Sequence, residues 1–236
     1  MNIYKIADLY ISISPKYEYT KEILSEFLSD SEHFDFAIDT ITDADIEYEK
    51  SVAEEPLSSG VAESLSILRK ISTKLLESYS GFFFHCSCLE INGSAVVFTG
   101  QSGVGKSTHS ALWRKVFKDK VTMIDDDKPL IRKQSDGYCI YGTPWKGKHR
   151  IGTDKSAKIG AIFEIHKSNE NRCEKKNAVS ALSLLLSQTI MPENEVMLKS
   201  LTGLLSDMVE NIPVYDLYCN ISDDAVYTAY EKIKPI

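Results

Sequence analysis

Residues Gly100-Gln-Ser-Gly-Val-Gly-Lys-Ser107 satisfy the pattern G-x-x-x-x-G-K-[ST] at each specified position. Such a segment can hold phosphate. Glycines at 100, 103 and 105 let successive backbone N–H groups turn toward phosphate oxygens, where a Cβ would obstruct the turn. Lys106 adds positive charge for the terminal phosphates, and Ser107 offers a hydroxyl to a phosphate-bound Mg²⁺. Ser102, Val104 and Thr108 complete the stretch that would touch a nucleotide. The helix expected after the loop points the positive end of its dipole at the same anion. At average glycine usage the four specified positions coincide by chance in a chain of this length about once in a hundred.

Three further groups could do chemistry beside phosphate. Asp125-Asp126-Asp127 follows the apolar run Val121-Thr-Met-Ile124. Carboxylates at the end of a buried strand are suited to hold Mg²⁺, which takes one or two carboxylates plus phosphate oxygens. A second carboxylate could accept a proton from an attacking hydroxyl, and repulsion between neighbours would raise one pKa. Without the phosphate loop the run would read better as a solvated acidic turn; beside the loop the functional reading is preferred. His85 lies in a strand, where a lone histidine is more often structural than catalytic. Gly142-Thr-Pro-Trp-Lys-Gly-Lys-His-Arg-Ile-Gly152 is a basic, glycine-interrupted loop. Its Trp145, Lys146, Lys148 and Arg150 suit a lid over phosphates or a clamp on an acidic substrate; the plainer reading is a surface loop.

The elements that must position these residues are legible from hydrophobic period. Ala95-Val-Val-Phe-Thr99 reads as a buried strand before the loop, and Ala111, Leu112, Val116 and Phe117 recur at helical spacing after it. Residues 2–13 and 34–41 alternate loosely. Residues 20–28 look helical, residues 43–54 are acidic and poorly patterned, and residues 59–78 form a strong amphipathic helix. Residues 82–91 read as one strand, Asn92-Gly93 as a hairpin turn and residues 94–99 as its partner. Strands follow near 121–124, 130–133, 138–141, 157–166 and 214–220, with helices over 179–190, 196–209 and 223–233. The expected fold class is α/β, with an N-terminal α/β section over residues 1–78 packed on a nucleotide-binding core over 79–236.

Composition bounds the function. The chain of 236 residues is 43% hydrophobic and 26% charged, with a net charge of −7. No basic cluster matches those of nucleic-acid binders, so nucleic acid is not expected as a partner, and neither is a membrane surface. The start Met1-Asn-Ile-Tyr-Lys-Ile lacks the features of a signal peptide, and a cytoplasmic protein is the expectation. Five scattered cysteines, with Cys86 and Cys88 on one face of a strand, read better as reduced packing residues than as a metal or redox pair.

Phe84-His85-x-Ser87, the hairpin, the loop Gly100–Ser107 and Asp126-Asp127 together resemble the C-terminal kinase domain of HPr kinase/phosphorylase, whose nucleotide-binding architecture the phosphoenolpyruvate carboxykinases share. The run I-D-D-D-K-P-L-I-R followed by Y-G-T-P-W-K-G-K resembles the small stand-alone HPr-kinase-related proteins, some of which phosphorylate peptide hydroxyls. The likeness is firmest over residues 81–166. It implies a P-loop core with a mixed β-sheet flanked by helices, binding ATP (or another nucleoside triphosphate, ADP or pyrophosphate) and Mg²⁺. It implies Lys106 on the β and γ phosphates and Ser107 and Asp127 at the metal. Asp126 would be the general base toward a serine- or threonine-type hydroxyl, and His85 would support that base. Trp145–Lys148 would cover nucleotide or substrate, and self-assembly would be common. The chain departs from HPr kinase in lacking an alignable glycine-rich segment after the acidic pair. Arg150 is only a loose match to the arginine carried there. The further metal and oxaloacetate ligands of the carboxykinases are not found, so decarboxylation is not expected.

Three functions fit these residues. The first is a kinase acting on a hydroxyl of a peptide, protein or small molecule. The second is a nucleotide-binding regulator with little catalysis. The third is a nucleoside triphosphate hydrolase, disfavoured by the lack of an N-K-x-D motif and by the closeness of the acidic pair to the loop.

Overall fold

The computed structural model describes residues 2–233. Strands β1 (Asn2–Ile6) and β2 (Leu9–Ile13) form a hairpin whose turn residues, Ala7 and Asp8, both have positive φ, 53° and 56°. That turn matches the twist of paired strands. Helix α1 (Glu18–Leu24) and a 3-10 turn (Ser25–Phe27) lead to the short strands β3 (Leu28–Ser29) and β4 (Phe36–Ala37). These four strands make a small sheet in the order β3-β1-β2-β4.

Two helices follow in the chain, the second packing on this sheet and the first packing on the second. Asp43–Val52, without an apolar period, is nonetheless helix α2, started by a Thr42–Asp45 capping box. Its buried positions are Ile46 and Glu49. Glu49 takes a core position because Arg69 of helix α3 (Ser59–Ser78) pairs with both its oxygens, at 2.6 and 3.1 Å. Buried charge is tolerated when paired in this way. Helix α3 has the bounds its period predicts and starts on Ser58, which accepts from the Val61 N–H. It is shared between two cores: Ile67, Leu68, Ile71 and Leu75 pack with the small sheet, and Leu76 packs with the large one.

The large sheet is built from β5 (Gly81–Phe83), β6 (Cys86–Ile91), β7 (Ser94–Thr99), β8 (Val121–Asp127), β9 (Leu130–Gln134), β10 (Gly137–Tyr141), β11 (Ser156–Lys167), β12 (Arg172–Lys175) and β13 (Val214–Cys219). Its path is β5-β9-β10-β11-β7-β6-β8, with β13 pairing both β11 and β12. The sheet is mixed: β7–β11 and β11–β13 are parallel, and the remaining pairs are antiparallel. Residues 82–91, read as one strand, divide at Phe84-His85. The Phe84 N–H goes to Pro129 O at 3.1 Å and the His85 N–H to Gln188 O at 2.8 Å, so β5 and β6 take different partners.

Alternation along the strands supplies both faces of this sheet. Ala95 and Val97 face helices α5 (Ala178–Ser187) and α6 (Glu195–Asn211), together with Cys86 and Cys88. Val96 and Phe98 face helices α4 (Lys106–Phe117) and α7 (Asp223–Tyr230) around Trp113. The five cysteines are free, and Cys86 and Cys88 are wholly buried core residues, as read from the sequence.

Helix α4 carries a buried histidine beneath its tryptophan. His109 Nε2 accepts from the Trp113 indole N–H at 3.1 Å, and burial lowers its pKa to about 4. The sign follows directly. The folded protein holds His109 neutral, so this group's stabilising effect is complete above about pH 6.5 and is lost as pH falls through 4. In His109→Gln the acid-side loss of unfolding free energy should shrink by up to about 3 kcal/mol, read by urea titration at pH 7 and pH 4. An identical pH slope in the variant would exclude this account.

Candidate functional site

Strand β7 delivers the chain into the glycine loop and α4 carries it away. Gly100, Gly103 and Gly105 have φ of 132°, 72° and 115°, values that L-residues rarely adopt. A Cβ at Gly103 or Gly105 would meet nothing within 4 Å, so the dihedral and not crowding demands glycine. Val104 N–H closes the loop on Gln101 O at 3.2 Å. Gly105 is the N-cap of α4 and brings no side-chain acceptor to the first turn, which leaves that end of the helix open to an anion. Ser102, Ser107 and Thr108 are exposed. Lys106 Nζ folds back to Gly100 O at 3.1 Å and Gln101 O at 3.3 Å. Burial holds its pKa below the ordinary lysine value, opposed by nearby negative charge from Asp127 and Asp126.

Sheet topology brings the carboxylates to the same edge. Strand β6 runs antiparallel to both β7 and β8, so β8 is parallel to β7 and ends beside the loop. The separation is two strand spacings, about 10 Å. The three aspartates there have three different environments.

Asp125 is wholly buried. It accepts from the backbone N–H groups of Asp127 (3.0 Å), Lys128 (3.0 Å) and Thr143 (2.9 Å) and is 3.0 Å from the Thr143 hydroxyl. Burial pushes its carboxyl up to about 7 against those hydrogen bonds. The raised pKa expected from carboxylate repulsion therefore falls on Asp125 and arises from burial. Asp125 ties the end of β8 to the basic loop.

Asp126 Oδ1 accepts from Ser87 Oγ at 2.5 Å. Ser87 lies 2.6 Å from Ser110 Oγ, and Ser110 reaches Lys106 O at 3.2 Å. Buried hydroxyls thus link Asp126 to the first turns of α4. Asp127 contacts His85 Nε2 at 3.4 Å through one oxygen and the Lys128 ammonium through the other. Burial pushes the Asp127 carboxyl upward, but the His85 hydrogen bond and the Lys128 charge win and hold it below the usual value. His85 consequently partners Asp127, not Asp126 as the resemblance implies. Its carbonyl accepts from Thr99 Oγ1 at 3.0 Å, beside the start of the loop.

The basic loop is a strap fastened at several points. Gly152 bridges to Asp125. Trp145 is only 5% exposed, and its indole N–H donates to Ser64 O of α3 at 3.0 Å. Lys146 pairs with Glu26 and lies 5.6 Å over the Phe27 ring, and Arg150 pairs with Glu22 at 2.7 Å. Trp145, Lys146 and Arg150, read from sequence as part of a lid or clamp, anchor the strap to the N-terminal section here, and Lys148 is exposed. Gly147 (φ 71°) packs against the backbone that carries the aspartate pair, since a Cβ there would stand 2.8 Å from the Asp126 carbonyl oxygen and 3.0 Å from Asp127 Cβ. Gly147→Ala should displace the pair and lower any turnover by more than tenfold with nucleotide affinity kept. Equal loss of both would mean the strap acts on the loop instead.

Several site residues escape a sequence reading. Ser87 and Ser110 look like ordinary small residues, although a serine in an apolar strand is a weak signal. Lys128 and Thr143 gain their roles only through the fold. A second polar cluster, Glu164, His166 and Asp216, lies where β11 pairs with β13, and Lys176 Nζ already bridges its two carboxylates at 2.7 and 2.6 Å. A cavity of about 550 Å³ flanks the glycine loop on its β11 and β13 side.

No family model matches the chain, and no curated protein matches it. Among solved structures, the Hpr(Ser) kinase/phosphatase from Coxiella burnetii aligns with 14% identity over 55% of this chain and 88% of its own, at a TM-score of 0.31. That overlap is distant and loose.

Proposed function

We propose that the protein is a Mg²⁺-dependent phosphotransferase that moves the terminal phosphoryl group of a nucleoside triphosphate to a hydroxyl of a peptide, protein or small molecule. The observation that carries this reading is the placement of Asp126 and Asp127 on the sheet edge where the glycine loop opens, with a hydroxyl chain joining Asp126 to α4. Phosphoryl transfer asks for positioning and charge neutralisation more than for covalent chemistry.

The backbone N–H groups of residues 102–108 and Lys106 would hold the phosphates. Ser107 and Asp127 supply hard oxygens suited to Mg²⁺, and Asp127 already attracts a cation, the Lys128 ammonium. A bound Mg²⁺ would offset phosphate charge. Asp126 would accept the proton of the acceptor hydroxyl as its oxygen bonds the terminal phosphorus and the bridging P–O bond to the diphosphate breaks. Ser87 fixes the carboxylate orientation for this step. His85 and Lys128 keep Asp127 ionised, which is the state a metal ligand needs.

The test is incubation with γ-labelled nucleotide, Mg²⁺ and hydroxyl-bearing acceptors. Label on an acceptor supports the kinase. Steady phosphate release without acceptor supports a hydrolase, and tight binding with neither supports a regulator.

A further inference from the structure

Buried polar nitrogens without partners are rare in a folded chain, and each calls for a ligand or a role. Among the described residues Arg114 and Arg132 each carry one, the Nε. Arg132 is otherwise held: its Nη1 donates to Ala7 O at 2.7 Å, and its guanidinium lies 5.7 Å over the Tyr79 ring. Arg114 has nothing comparable. It is half-buried and makes no hydrogen bond or ion pair with any described residue. A guanidinium left unpaired in this way costs stability that an apolar side chain would not.

Its place in the fold points to an anion. Ser107, Ser110 and Arg114 stand at i, i+3 and i+7 on α4 and share one face of the helix. That face turns to β6 and β8, since Ser110 meets Ser87 at 2.6 Å and Ser87 holds Asp126. A helical side chain covers the turn before its own Cα, which for Arg114 is the turn of Ser110. Along the outer edge of β8 runs the strap, from Gly147 at the Asp126 carbonyl to Thr153, whose N–H donates to Ile124 O at 3.0 Å. Lys148 and His149 are exposed on it, and neither has a hydrogen bond or ion pair with a described residue. In a chain of net charge −7, the proposed base is thus flanked by basic side chains that no described carboxylate neutralises. Nucleotide phosphates do not account for Arg114. They belong at the first turn of α4, and Arg114 stands about 10 Å further along the axis than Ser107. The oxyanion has to come from the other reactant.

We propose that Arg114 binds the acceptor, and that the acceptor is an anion: a hydroxyl compound with a carboxylate or phosphate a few atoms from the hydroxyl. The planar guanidinium can hold either group through two parallel N–H bonds. The proposal rests on the phosphotransfer reading above and adds the substrate class to it. Thermal melting of the full chain, saturated with Mg²⁺ and a non-hydrolysable ATP analogue, tests it with malonate and inorganic phosphate as probes. At millimolar concentration at least one probe should raise Tm further, by about 3 °C or more. A response to malonate marks a carboxylate on the acceptor, and a response to phosphate marks a phosphate. In Arg114→Met that rise should vanish while the nucleotide-induced rise stays. Without ligands the variant should melt no lower than wild type, because an unpaired buried nitrogen is gone. No rise from either probe in the wild-type protein, or a rise that survives in Arg114→Met, overturns the acceptor site. So does a variant that melts well below wild type without ligands, which would mark a structural arginine. A wild-type protein that gains nothing from the nucleotide overturns the phosphate-loop reading instead, and the two probes are then read without nucleotide.

Discussion

Lys106→Ala should abolish the thermal stabilisation that a nucleoside triphosphate gives the wild-type protein. Ligand at a hundred times its dissociation constant stabilises a fold by about 2.7 kcal/mol. In a chain of this size that corresponds to a rise in Tm of about 5–10 °C. Lys106 is the half-buried cation of the loop, and among the described residues its Nζ hydrogen-bonds to loop carbonyls, at 3.1 and 3.3 Å. Its removal should therefore leave the melting temperature without nucleotide almost unchanged, while the nucleotide-induced rise disappears. Differential scanning fluorimetry with and without nucleotide reads both. A variant that keeps the full rise would end the phosphate-loop reading, and the functional proposal with it.

Asp126→Asn should cut phosphoryl transfer by about 10²–10⁴-fold, the range a general base contributes, with nucleotide binding preserved. The substitution is nearly isosteric, and the amide oxygen can still accept from Ser87. What it removes is the capacity to take a proton. Labelled transfer measured with saturating nucleotide separates this from a binding defect. Activity within tenfold of wild type would show that Asp126 is not the base. The same substitution at Asp125 would not make this test, because Asp125 is wholly buried and holds backbone groups of residues 127, 128 and 143.

What the sequence makes legible is local. The bounds of α3 follow from its apolar stripe and its Ser58 cap, and Asn92-Gly93 adopts the positive φ pair its hairpin needs, 53° and 79°. All three loop glycines prove to occupy conformations only glycine takes easily. What escapes depends on partners distant in the chain. Helix α2 hides because one of its two buried positions is Glu49, which is buried only in company with Arg69. Strand β12 (Arg-Cys-Glu-Lys) has no apolar alternation and exists through its backbone pairing with β13. The break at His85 is set by acceptors at Pro129 and Gln188. Trp145 and Lys146 have the composition of a lid, and nothing nearby in sequence foretells Ser64 and Glu26. At the site, the residue types were readable, but the distribution of burial among three adjacent aspartates was not.

The anchorage of Trp145 bears on how the molecule comes apart. Leu130, Tyr141 and Trp145 are interior to the same cluster as the small sheet and α3. A fragment beginning at residue 79 would bare that indole and strand Lys146 without its counter-charge. Denaturation should accordingly be one cooperative event, in which the amide protons of residues 142–147 exchange only as fast as the first two strands let go.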